Sequence, residues 1–153
     1  MKTILSTLFI FCFCISYSPA QDNAVLKYDS LSVESLDADA YGMKKYVMAF
    51  LKKGPNRNQP EKEAAELQNA HMANIRRMAE EGDLVLAGPF IDGGDIQGIY
   101  VFNVETIEEA RKLTETDPAI KAGRLVMELH PWYGTAALMK INEIHGIIKK
   151  KDF

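Results

Sequence analysis

Residues 60–90 predict a long amphipathic helix that runs directly into a β-strand, and this combination restricts the folds open to the chain. Pro60 suits the first helical position, because a proline there lacks only an N–H that the helix does not use. Gly82 is placed to end the helix in a left-handed turn. Residues 84–87, Leu-Val-Leu-Ala, then form a short apolar run, which is typical of a strand. The stretch therefore predicts a helix–turn–strand unit.

A histidine lies in the middle of the apolar stripe of this helix. His71 stands four residues after Leu67 and four before Ile75, so the three side chains share one face. The other apolar positions of the stripe are Ala64 and Met78. The spacing predicts that the imidazole faces the interior rather than the solvent.

The remaining segments place this unit in a recognisable order. Three further strands are predicted, at residues 46–51, 99–102 and 125–130. Thr106 and Glu109 form a capping box for a second helix at residues 107–116, and Asp117 with Pro118 starts a short helical turn. The order βαββαβ predicts an α+β, ferredoxin-like fold, in which both helices lie on one face of an antiparallel four-stranded sheet.

The predicted strands are apolar on both faces. In the first strand the two alternating sets of side chains are Tyr46, Met48 and Phe50 on one side and Val47, Ala49 and Leu51 on the other. Two helices cover only one face of a sheet, so a second layer is needed on the other. The simplest candidate is a second copy of the sheet, which predicts a homodimer formed through the sheet face.

The first twenty residues read as an export signal. Lys2 precedes a short apolar run, and the run ends in Ser18-Pro19-Ala20, whose small residues suit a signal peptidase. We expect cleavage after Ala20 and a periplasmic or extracellular location; an uncleaved anchor and a lipoprotein are less favoured alternatives. Residues 21–42 are rich in Asp and Ser and predict a flexible acidic tether before the domain at residues 43–133.

Composition excludes several kinds of protein once the signal is removed. Both cysteines lie at positions 12 and 14, so the exported chain has no disulfide, no thiol catalyst and no cysteine metal ligand. Subtracting Lys2 from the 18 basic residues leaves 17 against 21 acidic ones, a net charge of −4. With no basic patch interleaved with aromatics, we expect no nucleic-acid partner.

Residues 134–153 predict a helical extension after the domain. Leu138, Ile141, Ile144 and Ile148 recur at roughly helical spacing, and three lysines follow. We interpret the extension as a helix that packs across the dimer. Binding to a membrane surface is a less favoured alternative, because one short stripe and three lysines are weak evidence for it.

His71 is the first candidate for chemistry, and Asp117 is its candidate partner. The predicted fold places both on the helix-covered face of the sheet. A carboxylate that accepts from one imidazole nitrogen fixes the tautomer and leaves the other nitrogen free as a base or acid. The alternative is structural: a histidine on an apolar helix face is commonly a hydrogen-bonded core residue, and an Asp-Pro pair is a good helix cap.

Two further pairs of residues are candidates for weaker reasons. Gly88 and Pro89 follow the second strand, where a glycine allows close approach of a ligand and a proline stiffens the chain; an ordinary strand end is the alternative. Glu128 and His130 share one face of the fourth strand and would line a pocket or form interface hydrogen bonds. Because His71 is expected across the sheet from them, we predict no metal site.

These motifs, taken in order, resemble the YCII-related domain family over about residues 44–133. After the helix histidine the shared motifs are E-G-x-L from Glu81, A-G-P from Ala87, E-E-A from Glu108, D-P from Asp117 and G-R-L from Gly123. The resemblance implies a dimeric α/β barrel of ferredoxin-like protomers. It also implies that His71 and Asp117 match the His-Asp pair proposed as that family's active site.

Two hypotheses of different classes follow. The superfamily that the resemblance indicates includes muconolactone isomerases, a dehydrochlorinase of chlorinated hydroxyhydroquinone and cofactor-free monooxygenases. The first hypothesis is a cofactor-free enzyme in which His71, oriented by Asp117, moves a proton on a small cyclic substrate, giving isomerisation or elimination. The second is a ligand-binding or structural homodimer in which the pair is a buried hydrogen bond.

Overall fold

The structure, a computed structural model, describes residues 27–151. The strands are β1 (Met43–Lys53), β2 (Leu84–Pro89), β3 (Ile96–Phe102) and β4 (Leu125–Thr135). The helices are α1 (Ser30–Ser35), α2 (Glu61–Glu81), α3 (Ile107–Thr114), α4 (Pro118–Lys121), a 3₁₀-helix (Ala136–Lys140) and α5 (Ile141–Ile148). The sheet has the order β2-β3-β1-β4, and every neighbouring pair is antiparallel. This confirms the predicted α+β, ferredoxin-like fold with a four-stranded antiparallel sheet.

Helix termini follow the local sequence signals. Gly82 ends α2 with φ of 83°, a left-handed conformation that glycine adopts without a Cβ penalty. Thr106 and Glu109 form the predicted capping box of α3. Asp117 caps α4, with Pro118 at its start. Pro60 differs from the prediction by one position: it is the N-cap of α2 and not its first helical residue.

The main hydrophobic core lies between the sheet and the helices. One side of every strand contributes to it, as the alternation predicts. Its buried members are Val47, Ala49, Leu51, Met78, Leu84, Tyr100, Phe102 and Ala110. Leu125, Met127 and Leu129 of β4 pack against the same cluster, so the opposite face of β4 carries Glu128, His130 and Trp132.

The chain's own C-terminal extension covers part of the second face. Leu138 and Met139 of the 3₁₀-helix pack against buried Tyr46, Val85 and Val101. Asn142 of α5 donates a hydrogen bond of 2.8 Å from Nδ2 to the carbonyl of Leu84 on the edge strand β2. The predicted C-terminal helix therefore packs on its own sheet. The outer part of this face remains partly open to solvent, at Phe50, Ile99 and Val126.

The described part of the predicted tether contains secondary structure and contacts the domain. Its helix α1 begins after the N-cap Asp29. Asp39 accepts hydrogen bonds from the backbone N–H groups of Tyr41 and Met43, and from the hydroxyl of Tyr133 on β4. The predicted export signal lies outside the described residues. None of the helices within residues 27–151 is long and apolar enough to cross a membrane.

A close backbone crossing joins the end of β1 to the start of β4. The N–H of Gly54 donates to the carbonyl of Arg124, and the N–H of Asn56 donates to the carbonyl of Gly123. A Cβ at Gly54 would lie 2.2 Å from the Gly123 carbonyl oxygen, which leaves no room for any side chain. Because Gly123 follows Ala122, the C-cap of α4, this crossing also holds the end of the helix that Asp117 caps.

We predict that Gly54→Ala lowers the free energy of unfolding by about 2 kcal/mol or more, because backbone must move to admit the methyl group. Gly88→Ala is the matched control: a Cβ there meets nothing within 4 Å, so its stability should change by less than about 1 kcal/mol. Urea unfolding followed by circular dichroism measures both. Equal stability of the two variants would contradict the role of the crossing.

Candidate active site

His71 and Asp117 form a short hydrogen bond in the interior. Nδ1 of His71 lies 2.6 Å from Oδ2 of Asp117, and the two residues are 6% and 0% exposed. The other carboxylate oxygen, Oδ1, accepts from the N–H of Ala119 at 2.8 Å and so caps α4. The carboxylate therefore holds the start of a helix with one oxygen and the imidazole with the other. The structure brings together the two residues that the sequence identified.

Tyr100 completes the arrangement on the other side of the imidazole. Its hydroxyl lies 3.4 Å from Nε2 of His71, and the two rings stack with 6.3 Å between their centroids. Burial raises the pKa of Tyr100 well above its usual range, and the nearby Asp117 carboxylate adds to the effect. The phenol therefore stays protonated at neutral pH and acts as a hydrogen-bond donor.

A polar network holds α2 against the turn that carries Asp117. Nη2 of Arg77 donates to Oδ1 of Asn74 at 3.0 Å and to Oγ1 of Thr116 at 3.1 Å. The Thr116 hydroxyl also lies 3.0 Å from Oδ1 of Asn74 and 2.7 Å from the carbonyl of Leu113. Asn74 is three residues from His71, and Thr116 directly precedes Asp117. The network thus fixes the spacing between the two elements of the pair.

A groove of about 1090 Å³ runs past His71 and over the edge strand β2. Its walls include α2, β2, the start of β4 and, across the edge, α5. His71 and Tyr100 line it together with Gly88 and Pro89. These two residues do not close β2 but are its last paired positions, opposite Ile99 and Gly98. The candidate base and the candidate substrate-binding residues therefore border one groove.

Sequence reasoning missed Tyr100 and two arginines of the groove, Arg57 and Arg124. The sequence placed Tyr100 only within the predicted strand at residues 99–102. The strand pairing holds a signal: Tyr100 stands opposite Ala49 on β1 and Ala87 on β2, so its neighbours across both strand pairs are small. That signal needs the register of three strands, which one sequence does not supply.

The second polar cluster lies on the opposite face of the sheet. Nε2 of His130 lies 2.8 Å from Oε1 of Glu128, and Lys52 forms an ion pair with the same carboxylate. The hydrogen bond from Lys52 is the main cause that lowers the pKa of Glu128, and the hydrogen bond with His130 is the second. Because this cluster and His71 are on different faces, the sheet separates them. Within residues 27–151 no group of three His, Cys, Asp or Glu side chains is placed to hold a metal ion.

The fold and the buried pair define a small α+β protein with a ferredoxin-like sheet and a His-Asp dyad beneath its first long helix. The chain belongs to the YCII-related domain family, whose family model matches residues 45–133.

Among solved structures, the chain is similar to 5-chloro-2-hydroxyhydroquinone dehydrochlorinase (TftG) from Burkholderia phenoliruptrix AC1100, in its complex with 2,5-dihydroxybenzoquinone. The two share 20% sequence identity, with a TM-score of 0.42, over 56% of this chain and 92% of the other. No curated protein matches the chain.

We predict that Asp117→Asn reverses the tautomer of His71. The cap at Ala119 needs an acceptor, so the amide oxygen takes the place of Oδ1 and the amide NH₂ turns toward Nδ1. Nδ1 then becomes an acceptor, and the ring proton moves to Nε2. ¹⁵N NMR of histidine-labelled protein distinguishes the two forms.

Asp29→Asn is the matched control, because Asp29 also caps a helix but lies outside the site. It should leave the His71 resonances unchanged. A His71 that keeps its proton on Nδ1 in Asp117→Asn would contradict the assignment of the carboxylate as the group that fixes the tautomer.

Proposed function

We propose that this protein is an exported, cofactor-free enzyme in which His71 transfers a proton on a small cyclic substrate, giving isomerisation or an elimination of the dehydrochlorinase type. One observation carries the proposal: Nδ1 of His71 is engaged by Asp117 at 2.6 Å, while Nε2 is directed to Tyr100 beside the groove. A histidine with one nitrogen held by a carboxylate and the other beside a cavity is well placed to act as a general base.

The chemistry follows from the roles of the three side chains. Asp117 accepts from Nδ1–H, so Nε2 carries the lone pair and faces the Tyr100 hydroxyl. When that hydroxyl turns from Nε2 to the substrate, the lone pair is free to remove a proton from a ring carbon. When the imidazole takes up the proton, Nδ1–H keeps its hydrogen bond to the Asp117 carboxylate. The neutral Tyr100 hydroxyl donates a hydrogen bond to an oxygen that gains negative charge as the carbon loses its proton.

Two outcomes are open to the resulting anion. If the proton on Nε2 returns to a different carbon, the double bond moves and the reaction is an isomerisation. If a chloride on the neighbouring carbon leaves with the bonding electrons, a double bond forms, and the proton on Nε2 passes to solvent. Neither route needs an electron acceptor, so both are compatible with an enzyme that uses only its side chains.

Gly88 and Pro89 serve this proposal as substrate-binding positions. Both border the groove at the edge of β2, and a Cβ at Gly88 would meet nothing within 4 Å. The open space beside this backbone is what a bound ring needs. Pro89 removes one N–H from the edge strand, which discourages pairing of another strand there.

We predict that the protein catalyses exchange of carbon-bound hydrogen for deuterium in small cyclic carbon acids in D₂O. Cyclic enol lactones and chlorinated hydroquinones, the substrate types that the family resemblance suggests, are the compounds to test by ¹H NMR. His71→Ala should slow the exchange by about 10²-fold or more, the usual contribution of a general base. His130→Ala, on the opposite face, is the control and should keep the wild-type rate. A folded His71→Ala protein with unchanged exchange would contradict the proposal.

The alternative, a non-catalytic homodimer that binds a small ligand or is purely structural, also has an observation in its favour. Asp117 is fully buried and caps α4, so the pair has a structural use. If His71→Ala loses about 1–3 kcal/mol of stability, as expected for an unsatisfied buried partner, and no compound exchanges, the structural function is favoured. An unchanged melting temperature together with lost exchange favours the enzyme.

The proposal includes export and a homodimer. Export predicts a mature chain that begins at Gln21, which mass spectrometry of the secreted protein measures. The homodimer would form through the part of the second sheet face that the C-terminal extension leaves open. This part includes Phe50, Ile99 and Val126, the last of which is 40% exposed.

We predict that the protein is a dimer at micromolar concentration in sedimentation or light-scattering measurements. Val126→Glu should shift the equilibrium to monomer, because a charge would be buried without a partner in the interface. Tyr41→Glu is the control, since Tyr41 is 87% exposed and precedes the sheet. A monomeric wild-type protein would refute the homodimer while leaving the His71 chemistry to be tested separately.

A further inference from the structure

The groove beside His71 is basic, although the chain as a whole is acidic. The full sequence has 18 basic and 21 acidic residues. Among the charged side chains that line the groove, five are basic and one is acidic: Arg57, Arg76, Arg124, Lys149, Lys151 and Glu80. A concentration of one sign of charge in a groove raises the local concentration of ligands of the opposite sign. The groove therefore favours an anionic ligand.

Arg57 and Arg124 are held at one corner of the groove. Asn56 ties the loop after β1 to the end of α4 through its N–H and its Nδ2 atom, which donate to the carbonyls of Gly123 and Ala122. Nη1 of Arg57 then donates to the carbonyl of Arg124 at 3.2 Å, and Nη1 of Arg124 donates to Oε1 of Gln59 at 3.0 Å. Each guanidinium thus uses one donor to fix its position.

These two cations have no acidic partner in the described part of the chain. Within residues 27–151 no carboxylate forms an ion pair with Arg57 or Arg124. By contrast, Arg77 of α2 forms an ion pair with Glu81 of the same helix. A guanidinium carries five N–H donors in a planar fork that matches the oxygens of a carboxylate or phosphate. Each of these guanidinium groups uses one donor on a neutral oxygen of the protein and keeps others for an oxyanion.

We propose that Arg57 and Arg124 bind the oxyanion group, a carboxylate or a phosphate, of the small molecule on which His71 acts. The part of this inference that concerns the reaction at His71 rests on the proposed function, whereas the part that concerns anion binding does not. The same groove is also lined by the apolar side chains of Leu51, Ile75 and Leu125, which suit an apolar ring. The substrate class is therefore a small cyclic molecule with an apolar body and one anionic group.

The arrangement also has a consequence for the proton transfer. An anionic group held by two guanidinium groups fixes one end of the substrate, so that a ring carbon can be presented to Nε2 of His71 in one orientation. Fixed positive charge in the groove also stabilises the anion that forms when the carbon loses its proton. Arg57 and Arg124 are binding residues in this account, and His71 is the base.

The test is a ligand titration of the full chain, in which ¹H–¹⁵N NMR measures binding. Benzoate, phenyl phosphate and neutral benzamide share one ring and differ in the group that the arginines would bind. Arg57→Gln and Arg124→Gln should each weaken binding of the preferred anion by about tenfold or more, as expected for loss of a charge-assisted hydrogen bond. Arg111→Gln removes an exposed arginine of α3 that does not line the groove, and it should bind like wild type. Melting temperatures establish that each variant is folded.

The outcomes separate the inference from the proposed function. The tighter of benzoate and phenyl phosphate identifies the anionic group. Equal binding of benzamide, binding of neither anion at millimolar concentration, or wild-type binding by the two variants would each overturn the inference. His71→Ala should still bind the anion. Anion binding that depends on the arginines, without any hydrogen exchange that depends on His71, would retain the subsite and refute the enzyme.

Discussion

The carboxylate of Asp117 is the interaction on which the rest of the site depends. One oxygen accepts from the N–H of Ala119 and starts α4, while the other holds Nδ1 of His71. A buried charge is tolerated only where hydrogen bonds replace its hydration, and both oxygens have such partners here. The same carboxylate therefore both caps α4 and orients the imidazole. A change that disturbs the turn also disturbs the tautomer.

The sheet supplies a second constraint, because both of its faces are apolar. The helices cover one face, and the C-terminal extension covers Tyr46, Val85 and Val101 on the other. This extension also forms a wall of the groove, through Ile141 and His145 of α5. The segment that removes apolar surface from water thus also shapes the space beside the dyad. The C-terminal extension both covers apolar surface and lines the groove because it lies across the edge of β2.

The sequence predicted the fold and the dyad because both leave local signals. His71 stands at helical spacing within an apolar stripe, and Asp117 precedes a proline in a typical helix start. Tyr100, Arg57 and Arg124 leave none. A strand tyrosine with apolar neighbours reads as core, and loop arginines read as solvated charge. Their positions beside the groove depend on strand register and on the backbone crossing at Gly54, which are properties of long-range contacts.

The C-terminal extension that covers the second sheet face is another feature that the sequence predicted only in part. Apolar spacing in residues 134–153 indicated a helix but not the surface on which it packs, because spacing fixes which side of a helix is buried and not its partner. The contact with Leu84 that places α5 depends on one amide, Asn142. Its partner is an edge-strand carbonyl that the sheet itself leaves unpaired. Because α5 lines the groove that His71 also lines, this tertiary hydrogen bond contributes to the shape of the groove.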